Sequence, residues 1–315
     1  MALGRYLLSR LASSLYVLLG TSLLMFILMR LAPGDPIDIM FGRTHSGPGL
    51  GLAREERLGE IREELGLDKP LLAQYIVWLG RVAQLDFGVS FRTHRPVAVE
   101  LISRLPATVV LAIFAFLIQA LLAVGFGILS AMQANGWLDH SIRLVAVVCT
   151  ATPIFLLGLL LLYLFGVRLR WVSISAPISF KQVILPALTL GVVTAPQTMR
   201  VLRASLLEEF SRPYMIVGRA KGLSERTLLR RHALPNAILP TVTLLGLSFS
   251  SLLGGSVIIE TLFSWPGIGK YIVDSIYVRD YPVIQGYVLV TTVFVMIVNL
   301  LVDFLYTVLD PRIRL

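Results

Sequence analysis

The chain has a single cysteine, Cys149, in 315 residues, so it carries no disulfide framework and no zinc site built on cysteine. Its four histidines, His45, His94, His140 and His232, include no pair at metal-ligand spacing. Charge is scarce: Asp, Glu, Lys and Arg make up 15% of residues, against about a quarter in soluble domains. With 56% apolar residues and a mean hydropathy of +0.79, there is too little polar surface to coat a soluble sphere of this size. That argues against an ordinary cytosolic enzyme, and the same apolar abundance excludes a disordered chain. No Gly-x4-Gly-Lys-Ser/Thr phosphate loop occurs; Gly267-Ile268-Gly269-Lys270-Tyr271 lacks both the glycine spacing and the hydroxyl. Acids number 19 against 28 bases, a net charge of +9, and the location of that surplus separates nucleic-acid binding from a membrane rim.

Long uncharged runs are what the sequence has in quantity. A helix needs about 20 apolar residues to cross ~30 Å of hydrocarbon. Leu11–Met29, Leu105–Leu138, Leu144–Val167, Gln182–Met199, His232–Ile259 and Tyr281–Val302 contain no Asp, Glu, Lys or Arg. They predict six spanning helices, the second run being longer than one crossing requires. Gly, Ala, Ser and Thr are interspersed among their Leu, Val and Ile, the composition that lets helices pack closely in lipid. Arg5 and Arg10 precede the first run as in a signal peptide. However, its 19 apolar residues exceed an ordinary signal core and Leu31-Ala32-Pro33-Gly34 is a poor cleavage site, so it reads as a retained span.

With six crossings both termini share one side. Placed in the cytoplasm, that side receives thirteen basic residues, among them Arg143, Arg200, Arg203, Arg219 and Lys221, against five acids, Asp139, Glu208, Glu209, Glu225 and Asp310. The outer segment from Arg30 to Arg104 balances ten bases with ten acids. Positive-inside asymmetry accounts for the surplus, and nucleic acid is not needed.

Three parts follow: a first spanning helix over 1–32, an external insertion over 33–100, and a five-helix core over 101–315 that contains a cytoplasmic loop at 200–236. Pro33-Gly34-Asp35-Pro36 breaks the first helix. Thr44–Gly51 is glycine-rich, and Arg54–Leu65 carries a helical stripe of Leu58, Ile61 and Leu65. Pro70 opens an amphipathic helix with Leu71, Leu72, Tyr75, Ile76 and Leu79 on one face and Trp78 nearby. This insertion reads equally as a lid over helix ends or as an external dock for a soluble partner. In the loop, Pro213 suits the first turn of a short helix, Tyr214–Lys221 continue it and Gly222 stops it. Ser224 caps a second helix, Glu225–Ala233, and Pro235 and Pro240 punctuate the return to the membrane. Tyr214, Ile216 and Val217 give the short helix an apolar face. Chemistry alone leaves two readings of it, a connector held on anionic lipid or a plug for a cytoplasmic partner.

Specific stretches now become recognisable. Ala220-Lys221-Gly222-Leu223-Ser224-Glu225-Arg226, followed by Arg231-His232-Ala233-Leu234-Pro235-Asn236-Ala237-Ile238-Leu239-Pro240, resembles the EAA loop of ABC importer permeases, with Gly222 lying 13 residues before Pro235. Glu260-Thr261-Leu262-Phe263-Ser264-Trp265-Pro266-Gly267-Ile268-Gly269 and the ending Leu301-Val302-Asp303 through Leu309-Asp310-Pro311-Arg312-Ile313 resemble the peptide-importer branch. Arg30-Leu31-Ala32-Pro33-Gly34-Asp35-Pro36 is similar to the first of the two paralogous permeases of dipeptide and oligopeptide importers. The Glu-Ala-Ala positions of the general motif fall here on Ile216, Val217 and Gly218, so the usual acid is absent.

The resemblance implies an all-α membrane protein of six transmembrane helices with the type I ABC importer permease fold, both termini cytoplasmic, in a bacterial cell membrane. It implies a non-catalytic permease subunit that translocates peptides by alternating access. The partners it implies are a paralogous second permease, two ABC ATPase subunits and an extracytoplasmic substrate-binding protein. No cofactor is expected on this chain, ATP and Mg being held by the ATPases. The ATPase-coupling residues would be Tyr214, Met215, Ile216, Val217, Gly218, Arg219, Ala220, Lys221, Gly222 and Leu223. Relatives of this branch also import nickel complexes or glutathione, so the cargo stays open.

Individual polar residues carry two readings each. Gln119, Thr194, Gln197 and Thr198 either line a pathway, where a dehydrated peptide needs hydrogen-bond partners, or glue helices together. Glu260, Phe263 and Trp265 either form an external gate or a structural turn. Asp303 is read as the one acid deep in a predicted span, in contact with a neighbouring helix and sharing a face with Asn299. Pro153 and Pro196 are hinges or packed kinks, and Cys149 is a small buried apolar residue. A stand-alone secondary transporter would favour several intramembrane charges and an internal repeat. An intramembrane protease would need a deep histidine or His-Glu-x-x-His; neither is present in the sequence.

Overall fold

The computed structural model describes residues 2–31, 70–171 and 180–309. The expected features at Pro33–Pro36, Thr44–Gly51 and Arg54–Leu65 lie outside them. Among the described residues every long element is helical, and the one β-type pairing is an isolated bridge between Val89 and Pro96. In chain order the helices are α1 (Ala2–Leu31), α2 (Leu71–Ala83), α3 (Val97–Met132), α4 (Trp137–Ala151), α5 (Ile154–Leu161), α6 (Phe180–Phe210), α7 (Pro213–Ala220), α8 (Glu225–Leu228), α9 (Leu234–Leu262), α10 (Ile268–Tyr277) and α11 (Tyr281–Leu309). The chain divides into two units, Met1–Arg104 with Tyr271–Met296, and Leu105–Lys270 with Ile297–Leu315.

In the first unit α2 starts after Pro70, as its sequence predicts, and lies against α1. Phe26 of α1 meets Tyr75 and Trp78 at ring-centroid distances of 5.4 and 5.9 Å, and Ser22 Oγ is 2.8 Å from the Tyr75 hydroxyl. The outward residues of both helices, including Leu15, Val17, Leu71 and Leu72, are exposed, the pattern of a surface made for lipid. Beyond α2 the loop is tied down by charge. Asp280 Oδ2 accepts from Ser90 Oγ at 2.6 Å, and Glu100 is clasped by Arg95 and Arg104. Arg104 in turn lies over the Tyr271 ring, 4.2 Å from its centroid.

The second unit is a helical bundle around α6. One core cluster gathers Leu111 and Ala115 of α3, Val183, Ala187 and Leu190 of α6, Leu252 and Ile259 of α9, and Trp265. A second cluster joins Ala131, Leu202, Leu206, Met215, Leu228, Leu229, Ala233 and Ala237. Fully burying each such Leu or Met stabilises by about 1.5–3 kcal/mol. Cys149 is half-buried, on an apolar cavity of ≈ 370 Å³ between α3, α4 and α6, and so is less enclosed than expected.

The six uncharged runs map onto helices with three corrections. Four helices are long and apolar enough to cross a membrane: Ala12–Leu31, Val97–Met132, Glu225–Leu262 and Tyr281–Asp303. The predicted span Leu144–Val167 is broken. α4 stops at Ala151, and α5 with the π-helical stretch Leu162–Arg168 leaves at 105° to it. The cause is Pro153, which has no N–H and holds Thr152 in an extended conformation (ψ 123°). Counted together this bent pair makes a fifth span. The run Gln182–Met199 lies in α6, which is long enough but less apolar. Nearly half of its described residues are buried against neighbouring helices and few are exposed, so it needs little lipid-facing surface.

The third correction concerns the return from the loop. Pro235 and Pro240 do not interrupt it; Glu225–Leu262 runs as one helical stretch. The residues before Pro235 widen into a π-helical turn, Leu229–Ala233. That turn shifts the carbonyls that a proline ring would strike.

Candidate functional site

The short helix α7 is built by local signals. Pro213 occupies its first turn, where the missing N–H has no partner to lose. At the other end Gly222 adopts φ +79°, and its N–H donates to Arg219 O at 2.9 Å while Leu223 N–H donates to Gly218 O at 3.2 Å. Ser224 Oγ then accepts from Thr227 N–H at 3.3 Å and starts the next helix. The helix is anchored as well as capped. Met215 is fully buried among Leu202, Leu206 and Leu228, and a Cβ at Gly218 would lie 2.5 Å from Leu228 Cδ2. Tyr214 donates its hydroxyl to Glu209, whose other oxygen meets Arg212 Nε at 2.9 Å. Burial, and then the Glu209 carboxylate, push the Tyr214 phenol above its ordinary value. Arg219 pairs with Glu225 at 2.8 Å, which raises its guanidinium further. Ile216 and Val217 stay exposed, at 61% and 52%. The apolar face expected from Tyr214, Ile216 and Val217 is therefore two surfaces, one holding the stub to the bundle and one left open.

Both chain ends of this stub lead into the walls of a polar cleft of ≈ 340 Å³. Gln119, Thr194, Gln197 and Thr198 all line it, together with Thr150, Arg200, Ser248 and Ser251. Gln119 is buried; its Nε2 donates to Thr198 Oγ1 at 3.3 Å and to Ser248 Oγ at 3.0 Å, joining α3, α6 and α9. Thr194 donates back to Leu190 O at 2.9 Å, while Gln197 and Arg200 are exposed. Arg200 and the α9 serines were not singled out from the sequence. Their signal was present: 193, 197 and 200 share one helix face, as do 244, 248 and 251.

Glu260, Phe263 and Trp265 surround a tight turn between α9 and α10. Glu260 is fully buried and accepts from Thr108 Oγ1 at 2.7 Å, Ser256 Oγ at 3.1 Å, Gly269 N–H at 2.7 Å and Lys270 N–H at 3.1 Å. Its carboxylate thus meets the otherwise unpaired amides that open α10. Trp265 is buried and donates Nε1–H to Ala107 O at 2.8 Å, and Phe263 packs on the same core. A Cβ on Gly267 would collide with Glu260 and Thr108, so only glycine lets the turn close. We expect Glu260→Gln to lower stability by about 1–3 kcal/mol, because an amide oxygen turned to accept from Gly269 and Lys270 puts the NH2 against the Thr108 and Ser256 hydroxyls, which donate to the native carboxylate. A thermal unfolding midpoint equal to that of the parent protein would show that the turn does not depend on the carboxylate.

A second buried acid was read only as a flank charge. Asp139, at the start of α4, is fully buried and receives both nitrogens of Arg203 of α6, Nε at 2.9 Å and Nη2 at 2.7 Å. Ser130 of α3 donates to it, as does Asn135 N–H at 3.0 Å, and Arg143 Nε stands 3.4 Å away. Arg143, Arg203 and Asp139 therefore belong to an internal network. Asn299, expected beside Asp303, accepts from Ser250 Oγ of α9 at 2.6 Å.

Comparison with known proteins agrees across the chain. Residues 123–315 match the family described as binding-protein-dependent transport system inner membrane component, and residues 3–112 match the N-terminal model of such membrane components. The chain is 38% identical over 320 residues to a Sinorhizobium fredii protein named "Probable peptide ABC transporter permease protein y4tP", covering 99% of this chain and 100% of the relative. It is 38% identical over 309 residues to the glutathione transport system permease protein GsiC of Escherichia coli K12, covering 98% of each. A structure of the MetNI methionine ABC transporter in inward-facing conformations superposes with a TM-score of 0.57 at 16% identity, over 67% of this chain and 96% of that one. An amino acid ABC transporter gives 0.51 at 17% identity, over 66% and 93%.

Proposed function

The chain belongs to the family of binding-protein-dependent transport system inner membrane components, and from that premise we propose that it carries peptides into the cytoplasm by alternating access. It is a permease subunit of an ABC importer, with the type I importer permease fold, in the inner membrane. In this reading a binding protein delivers the peptide from outside and a paralogous permease completes the pathway. Two ATPase subunits hold ATP and Mg and do the hydrolysis, while this chain performs no catalysis. Relatives named for peptide and glutathione transport support a peptide-like cargo.

One observation carries the proposal: the stub and the cleft share their helices. α6 ends two residues before the stub, and the helical stretch from Glu225 through α9 begins soon after it. Those same two helices supply Thr194, Gln197, Thr198, Ser248 and Ser251 to the cleft. A stub anchored by Met215 passes a push along rigid rods to the cleft walls, which a flexible loop could not do. ATP binding then drives transport through the difference in ATPase contact between two conformations. The exposed Ile216 and Val217 would seat in the ATPase. The neutral hydroxyls and amides of Gln119 and its neighbours would replace water on a peptide backbone. The buried turn at Glu260 would brace the opposite end of α9.

The test is crosslinking. Ile216→Cys, in a Cys149→Ser background and reconstituted with both ATPases, should form a disulfide with a cysteine placed in the ATPase surface groove. The yield should change between nucleotide-free and ATP-trapped states. Absence of any crosslink across a panel of groove positions in an intact complex would overturn this coupling route.

A further inference from the structure

Arg200 is the cation that lines the cleft, and the next three cations along the chain are all paired elsewhere. Arg203 is locked on Asp139, Arg212 on Glu208 and Glu209, and Arg219 on Glu225. Arg200 is exposed and, among the described residues, has no hydrogen-bonding or ion-pair partner. It projects from a helix whose uncharged run ends at the preceding residue, and it lies ten residues, ~15 Å of helical rise, before the end of α6. An unpaired cation on the wall of a cleft points to a task in the cavity it faces.

The chemistry of the cleft defines that task. Its other polar lining consists of neutral amides and hydroxyls, from Gln119, Thr150, Thr194, Gln197, Ser248 and Ser251 among others, and no acid lines it. Such groups suit a peptide backbone but offer nothing to an ammonium. A guanidinium presents a planar fork of donors that fits a carboxylate at two points. We propose that Arg200 reads a carboxylate on the passing substrate, making peptide acids the preferred cargo and leaving the peptide amino terminus unread in this cleft. This deepens, and rests on, the reading of the cleft as the translocation pathway. The carboxylate belongs to the peptide C-terminus or to an acidic side chain, and both sources present the same two oxygens.

The experiment compares uptake of matched peptides by the complete importer in proteoliposomes, using sequences that the purified binding protein retains in both forms. The set is a neutral peptide acid, its C-terminal amide, its N-acetylated acid, and an amidated peptide with one internal glutamate. Because each variant is compared on the same peptides, selection by the binding protein cancels. Arg200→Gln should lower uptake of the acid about tenfold, the loss expected when a charge-assisted bidentate partner is removed, and should leave the amide little changed. The N-acetylated acid should follow the acid. Whether the glutamate peptide follows the acid or the amide tells whether side-chain carboxylates are read as well as terminal ones. Arg200→Lys, which keeps the charge without the fork, should fall between parent and Arg200→Gln, and it carries the test if the glutamine variant does not assemble. Equal effects on acid and amide, or no effect on either, would overturn the proposal. If the parent importer took up none of the four, the peptide reading itself would fall and this inference with it.

Discussion

A Gly222→Pro importer is expected to insert its helices, bind its ATPases weakly and take up almost no substrate. Gly222 sits at φ +79°, where proline with φ near −65° cannot follow, and its N–H closes the end of α7 on Arg219 O. The substitution removes that bond and redirects the chain between stub and α8, at a local cost on the order of 3 kcal/mol. Nothing lies within 4 Å of where a Cβ would stand, so Gly222→Ala meets only the left-handed backbone penalty of about 1 kcal/mol and should keep most uptake. Uptake and ATPase stimulation are measured together. Parental values of both in Gly222→Pro would mean that the stub does not couple. Reversing Lys221 and Arg219 together is expected to uncouple as well, partly because it breaks the Arg219–Glu225 pair. Lys221→Glu alone separates that internal loss from loss of the proposed ATPase contact.

The second large effect is expected inside the bundle. Asp139→Ala leaves Arg203, 17% exposed, facing a buried site with no counter-charge. Breaking such a pair from one side costs about 3–5 kcal/mol, whereas replacing both partners with apolar side chains is far less damaging. Asp139→Ala should therefore lower the unfolding midpoint of the purified protein by on the order of 10 °C. Asp139→Leu combined with Arg203→Met should recover much of that loss. A single variant as stable as its parent, or a double variant worse than either single, would refute the assignment. The pair joins the start of α4 to α6 one turn beyond Arg200, so the double variant also asks whether transport needs these helices tied together.

Much of the architecture could be read from residue order because its causes are local. Uncharged runs of about 20 residues, a proline in a first helical turn, a serine cap and a glycine stop act on neighbours in the chain. They located α1, α2, α7, α11 and the spanning part of α9, and the sequence motifs around Gly222, Glu260 and Arg30 pointed to the importer permeases. The breaks were read less well. Pro153 and Pro235 look alike in sequence, yet one produces a 105° bend and the other is absorbed by a π-helical turn. Which of these happens depends on whether neighbouring helices hold the two halves in line.

Charge and polarity were the least legible, since their meaning is set by residues far apart in the chain. Asp139 looked like part of a cytoplasmic rim until Arg203, 64 positions away, was found against it. Gln119 meets Thr198 across 79 positions, and Thr108 meets Glu260 across 152. Residue order alone established that this is a membrane helix bundle with a short capped helix between two long ones, because hydrophobic length and backbone caps are properties of short segments. Packing settled which polar side chains are satisfied inside the bundle and which, like Gln197 and Arg200, remain exposed, because burial is a relation between helices and no single helix carries it.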